Sequence, residues 1–156
     1  MTEGQKNIVE NRRARYLYAI DERFEAGIAL QGSEVKALRE GKGQIAEAYA
    51  FVRDGEVFLA NMHISPYSGA STHVHVEPMR ERKLLLRRKE IDHLARETQQ
   101  KGLTLVPLRM YFSHGLAKVE LGLAKGKKHV DRRREIAKRD AQREMQRVER
   151  RRQRGE

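Results

Sequence analysis

The run Tyr16-Leu17-Tyr18-Ala19-Ile20-Asp21-Glu22-Arg23-Phe24-Glu25-Ala26-Gly27-Ile28-Ala29-Leu30 decides the fold class. Tyr16, Tyr18, Ile20, Phe24, Ala26, Ile28 and Leu30 recur at every second position, interrupted only at Glu22. A two-residue period puts them on one side of a pleated strand. A strand of this length is expected to bend around a closed sheet. Two hairpins extend the pattern. Ile45 to Arg53 and Glu56 to Ile64 flank Asp54-Gly55, a preferred two-residue turn. Leu103 to Phe112 and Leu116 to Leu123 flank His114-Gly115, and the second of these strands sets Ala117, Val119, Leu121 and Leu123 inward against Lys118 and Glu120. Pro107 has no amide proton to donate, so it is expected at an edge or a bulge. A shorter strand is expected over Thr72 to Glu77.

Helices are few. Ser33 is expected to cap a short one carrying Val35 and Leu38, with Gly41 at its end. Ile91, Leu94, Ala95 and Thr98 follow the i, i+3, i+4, i+7 spacing, with Asp92–Arg96 and Glu97–Lys101 on the wet side and Gly102 as the stop. The expected fold is mainly β: a small closed antiparallel β-barrel of about six strands, of the oligonucleotide-binding type, with two or three short helices. Closure hides the strand edges that an open sheet would expose.

Charge divides the chain. Its 156 residues hold 33 Lys+Arg against 22 Asp+Glu, a net charge of +11. Residues 125 to 156 carry 14 of the basic and 6 of the acidic residues, a net of +8, which leaves only +3 for the rest. The expected organisation is an RNA-binding domain over residues 1–124 and a basic C-terminal tail over 125–156. Val130, Ala137, Ala141, Met145 and Val148 make a narrow helical stripe, supported by the pairs Glu135–Arg139, Asp140–Arg143 and Glu144–Arg147. Two of those five are alanine, so the tail is expected to be helical conditionally, when laid along RNA phosphates. A solvated solubility tail is the alternative.

A positive field of this size attracts polyanions, nucleic acid first among them. The chain has no cysteine, which excludes disulfides, thiolate zinc sites and cysteine nucleophiles. Apolar runs such as Ala48 to Val52 are too short to span a bilayer, and charges at Glu3, Lys6, Glu10 and Arg12 leave no room for a signal peptide. A cytoplasmic address without membrane attachment is expected. Gly122-Leu123-Ala124-Lys125-Gly126-Lys127-Lys128 fails as a phosphate loop, because its glycines are too close and Lys128 stands where a hydroxyl must hold magnesium. His73, His75 and Glu77 share one face of a strand, with His63 as a further ligand, but any half-buried strand alternates in this way. No metal, cofactor or catalytic residue is assigned. The signals that remain are basic groups among aromatics and apolar residues. Asn11-Arg12-Arg13-Ala14-Arg15-Tyr16 combines guanidinium groups for phosphate, a phenol for stacking and an amide for base edges. Arg80-Glu81-Arg82-Lys83 leads into Leu84-Leu85-Leu86, which either supports a splayed base or forms a core strand flanked by charges.

Together, Asn11-Arg12-Arg13-Ala14, the block from Phe24 to Lys36, Arg82-Lys83-Leu84-Leu85-Leu86, and Ala124-Lys125-Gly126-Lys127-Lys128 with Asp131-Arg132-Arg133 resemble the SsrA-binding protein (small protein B) family, in its order and spacing. The resemblance implies a barrel that grips the tRNA-like domain of transfer-messenger RNA and enters a stalled ribosome for trans-translation, alongside elongation factor Tu. It implies RNA contacts at Asn11, Arg13, Tyr16, Glu25, Leu85 and Lys118, to which the basic clusters add Arg12, Arg15 and Lys83 as expected contacts. It also implies a tail at the small-subunit decoding centre and mRNA channel through Lys125, Gly126, Lys127, Lys128, Asp131, Arg132 and Arg133. Glu25 would accept from a base amino group or a ribose hydroxyl. The sequence departs from the family pattern at Leu17, often acidic there, and at Val130, where some members carry histidine. The competing expectation is a ribosomal or ribosome-assembly protein that binds ribosomal RNA.

Overall fold

The computed structural model describes residues 4–66, 76–126, 129–153 and 155, with the backbone alone described for 129–137. In chain order the elements are β1 (Gln5–Glu10), α1 (Ala14–Leu17), β2 (Tyr18–Ile28), α2 (Gly32–Arg39), β3 (Gly43–Gln44), β4 (Tyr49–Arg53), β5 (Glu56–Ala60), β6 (His63–Ile64), β7 (Arg82–Leu85), α3 (Arg88–Lys101), β8 (Thr104–Ser113), β9 (Leu116–Gly126) and α4 (His129–Gln153). No described helix is long and apolar enough to cross a membrane.

Six antiparallel strands pair in a closed ring, β8-β4-β5-β7-β2-β9 and back to β8, while β1 adds to β8 from outside the ring. The β4–β8 closure is narrow, a single Ala50–Leu105 pair, whereas β9 pairs along its length with both β2 and β8. Inside the ring, Ala26, Ile28, Val57, Leu59, Leu84, Met110, Val119, Leu121 and Leu123 form the core. Leu38 of α2 and Ile91 and Leu94 of α3 join it, so each helix buries one apolar edge. A fully buried side chain of this size contributes roughly 1.5–3 kcal/mol.

The long alternating run divides at two points. Its first residues form α1 instead of strand, and β2 begins only at Tyr18. Within β2 the register shifts between Ile20, opposite Ala124, and Glu22, opposite Leu123. This bulge moves the series from one face to the other. Phe24 packs on the core, whereas Ile20 lies outside it with Leu108 over the bare backbone of Gly122. One run of alternating residues therefore serves two faces.

Both hairpins form as expected. Arg53 pairs with Glu56 and Ser113 with Leu116, and Asp54, Gly55, His114 and Gly115 all have positive φ. That backbone is the reason for the glycine at the second turn position. Residues Ile45 to Ala48 lie outside β4, since β3 and β6 form a separate two-stranded piece. Pro107, opposite Leu121, adjoins the β8 bulge before Arg109. The cap of α2 is Gln31, not Ser33, because Glu34 reaches back to the Gln31 N–H at 2.9 Å and completes a capping box. Gly102, with φ of 64°, ends α3, and Lys101 pairs with Glu97 at 3.1 Å. Strand β1, absent from the expectation, lacks a clean alternation because its pairing shifts at Ile8. Of Thr72 to Glu77, residues 72–75 lie outside those described, and Val76 and Glu77 are not in a strand.

One core position of β7 carries a charge. Arg82 lies opposite Leu59 and is fully buried, as is all but 3% of the Glu34 side chain beside it. Its Nε donates to Glu34 at 2.6 Å, and its remaining nitrogens donate to the carbonyls of Met62 at 2.7 Å, Arg80 at 3.1 Å and Pro78 at 3.1 Å. Arg80 also donates to Glu34. Burial alone would raise the Glu34 pKa, yet the bonds from Arg80, the Gln31 amide and Arg82 hold it below its ordinary value of 4.5. The pair joins α2 to β7 and to the segment before it. We predict that Arg82→Met, which strands the carboxylate, costs about 3–5 kcal/mol in urea unfolding, while Arg82→Met with Glu34→Leu recovers most of it. A depressed carboxyl pKa contributes stability above its unfolded value and loses it as pH falls through the folded one. The parent chain should therefore lose melting temperature as pH falls below 4.5, and Glu34→Gln should flatten that loss.

Candidate nucleic-acid interface

In a pleated ring, the residues between the core positions face outward. On β7 these are Lys83 and Leu85, on β2 Arg23, Glu25 and Gly27, on β9 Lys118 and Glu120, and on β8 Arg109 and Tyr111. The register aligns them. Leu85 lies opposite Gly27, Gly27 opposite Lys118, Lys118 opposite Tyr111, Glu25 opposite Glu120, and Glu120 opposite Arg109. Lys83, Leu85, Glu25 and Lys118, scattered between positions 25 and 118 of the sequence, thus occupy one continuous outer face. Leu85 is 52% exposed, an unusual position for a large apolar side chain. It rests on Gly27, where an added Cβ would stand 3.3 Å from the Leu85 Cβ. Of Leu84-Leu85-Leu86, Leu84 is core, as the core-strand reading requires, and Leu85 is presented outward.

Several charges on this face are paired. Lys83 reaches Glu56 at 2.8 Å, and Arg109 binds Glu120 at 2.8 Å and the Asn7 amide oxygen at 2.8 Å. Arg23 meets the same Glu120 at 3.3 Å. Glu25 has a neutral partner, the hydroxyl of Tyr111, which donates to its Oε2. Arg23, Asn7, Arg109, Glu120 and Tyr111 were not singled out by the sequence reading. Arg109-Met110-Tyr111 alternates cation, core and aromatic, and that pattern was the available signal.

At the far end of β2 and β9 the face runs into a groove of about 890 Å³ lined by Arg12, Arg15, Tyr16, Ile20, Arg23 and others. Here Asn11 to Tyr16 come together, for different reasons. Asn11 is buried; its amide nitrogen donates to the carbonyls of Pro107 at 2.9 Å and Ile45 at 3.3 Å, bracing β1 against the β8 bulge. Its Oδ1 is buried and has no partner among the described residues. Arg13 pairs with Glu47, and Ala14 is the buried residue that seats α1. Tyr16 is half-buried, and the Arg139 guanidinium of α4 lies over its ring, 4.9 Å from the centroid.

Lys125 and Gly126 belong to β9, opposite Ala19 and Tyr18, so the first part of the basic run is ladder. Lys127 and Lys128 lie outside the described residues, and Asp131, Arg132 and Arg133 fall in the first turns of α4, described by backbone alone. Residues 138–153 are all exposed, Met145 at 71% and Val148 at 41%, so the apolar stripe of the tail buries nothing there. Glu144 and Arg147 pair at 3.5 Å. His73 and His75 lie outside the described residues, among which no cluster suited to a metal ion occurs.

The family model described as SmpB protein matches residues 8–151. The SsrA-binding protein of Trichodesmium erythraeum is 53% identical over 146 residues, covering 94% of each chain. That of Geobacillus thermodenitrificans is 49% identical over 154 residues, covering 98% of this chain and 99% of its own. Among solved structures, "tmRNA-SmpB: a journey to the center of the bacterial ribosome" contains a chain that is 53% identical with a TM-score of 0.64, covering 78% of this chain and 85% of that one. The match takes in the ring, the outer face and most of α4, and the chain belongs to the SmpB family.

Proposed function

We propose that this chain binds the tRNA-like domain of transfer-messenger RNA and delivers it to stalled ribosomes for trans-translation. The observation that carries the reading is the single outer face on which Lys83, Leu85, Glu25 and Lys118 align, continuous with the arginine-lined groove at α1. A folded RNA offers what such a face can use. Phosphates meet Lys83, Lys118 and Arg12, Arg13 and Arg15, while an unpaired base can stack on Tyr16 or lie against Leu85. Glu25 is an acceptor, and an acceptor recognises amino and hydroxyl groups rather than phosphate.

In this reading the ring acts as a small barrel of oligonucleotide-binding type. Residues 1–124 form the RNA-binding domain and residues 125–156 the tail, with the Lys125–Gly126 stretch as its root. The tail, through Lys127, Lys128, Asp131, Arg132 and Arg133, enters the vacant mRNA channel near the decoding centre. Elongation factor Tu accompanies the complex, the work is that of a binding protein in the cytoplasm, and no cofactor takes part. The exposed, basic character of residues 138–153 supports this, since a stretch whose side chains are all exposed can lie along ribosomal RNA.

The direct test is to recover RNA bound to the tagged protein in its native cell and sequence it. Transfer-messenger RNA should dominate; ribosomal RNA that stays bound through high-salt washing would favour a ribosomal or ribosome-assembly protein instead. Because β9 closes on Tyr18 through Gly126, a chain ending at Gly126 should keep its affinity for the isolated tRNA-like domain within about twofold and lose peptide tagging. Equal loss of both would refute the division of labour. Affinity should fall with salt at a log–log slope of roughly −0.7 to −0.9 for each phosphate neutralised.

A further inference from the structure

Glu25 stands on a cationic face, yet among the described residues no cation pairs with it. Glu120, directly opposite on β9, is held by both Arg109 and Arg23. The two carboxylates are thus handled differently, one neutralised and the other held by a phenol. Tyr111 reaches Glu25 from β8 across the intervening strand β9, and it is only 2% exposed. The Arg109 guanidinium covers its ring, 4.2 Å from the centroid, and Arg109 is itself fixed by Glu120 and Asn7. Burial first, then the bond to Glu25, raises the phenol pKa well above its ordinary value, so the hydroxyl stays a donor.

A carboxylate on a flexible side chain beside Arg23 and Lys118 would ordinarily swing to a cation. Here one oxygen is tied down, and the tie leaves the charge in place. We propose that Tyr111 is a positioning residue for RNA discrimination: it pins one oxygen of Glu25 so that the other is presented outward as a fixed acceptor. The group it fits is an N–H or O–H donor, such as the exocyclic amino group of guanine or cytosine or a ribose 2′-hydroxyl. A phosphate brought to the same spot is repelled. Glu25 therefore acts as a filter within a surface that otherwise attracts any polyanion, and the filter depends on where its oxygen is held. This rests on Glu25 facing the RNA as proposed above.

The test measures dissociation constants of the full chain for the isolated tRNA-like domain and for an elongator tRNA, by anisotropy at fixed salt. Tyr111→Phe removes one hydroxyl and keeps the ring under Arg109. It should lower the ratio of the two affinities about fivefold to tenfold, with the melting temperature and salt slope unchanged. Glu25→Gln should lower the ratio at least as far, and the double variant no further than Glu25→Gln alone. A full ratio in Tyr111→Phe beside a reduced one in Glu25→Gln would overturn the positioning role while leaving Glu25 in contact with RNA. So would losses that multiply in the double variant. A full ratio in Glu25→Gln would remove both roles, and failure of the parent chain to bind the tRNA-like domain would sink the underlying reading instead.

Discussion

Closure of the sheet through β9 is the constraint on which the rest of this molecule depends. That strand is paired on both edges, with β2 from Tyr18 to Gly27 and with β8 from Thr104 to Ser113. Once both ladders are made, side-chain direction is no longer free. Val119, Leu121 and Leu123 must point into the ring, and Lys118 and Glu120 must point out. The same parity carries through β2 and β7, so the residues that could meet a ligand are aligned by the pairing that builds the core. A slip of one residue would exchange the two faces.

The molecule treats charge differently on its two faces. Inside, Arg82 takes a core position and is matched bond for bond by Glu34 and three carbonyls, an arrangement that ties α2 to β7 more than it adds net stability. Outside, ion pairs such as Arg23–Glu120 and Lys83–Glu56 are solvated, and pairs of that kind exchange partners at little cost. A polyanion can therefore take over the arginines and lysines. Glu25 is the exception, since no cation among the described residues pairs with it. Family membership and the charged outer face both favour RNA as the ligand, and under the proposal made for Glu25 the pattern of neutralised and retained carboxylates would let that surface choose among RNAs.

Much of the architecture was legible from periodicity. Both hairpins, with their turn dipeptides, and the amphipathic helix α3 stood out because local chemistry and global fold agree there. What the sequence concealed were places where one residue changes the count. The bulge at Asp21 splits an apparently single alternating run between two faces, and another at Ile8 hides β1 altogether. Alternation cannot reveal a bulge, because the inserted residue preserves the pattern while reversing its meaning. At the candidate site, Glu25, Leu85 and Lys118 were identified through family resemblance and Lys83 through its basic cluster, and the register explains why they lie together. Asn11 proves to brace the β8 bulge with its amide nitrogen. Tyr111 was passed over because it sits in a strand whose aromatic residues look like core. Its hydroxyl matters only once Glu25 is known to lie two strands away.

The central claim is that the outward side of β7, β2, β9 and β8, with the groove at α1, is the RNA-binding surface. Backbone amide shifts of the full chain titrated with the isolated tRNA-like domain test it most directly. The account predicts the largest changes at Lys83 to Leu85, Arg23 to Gly27, Arg109 to Tyr111, Lys118 to Glu120 and Asn11 to Tyr16. Changes centred on α3 and the β3–β6 pair, with that face silent, would contradict it.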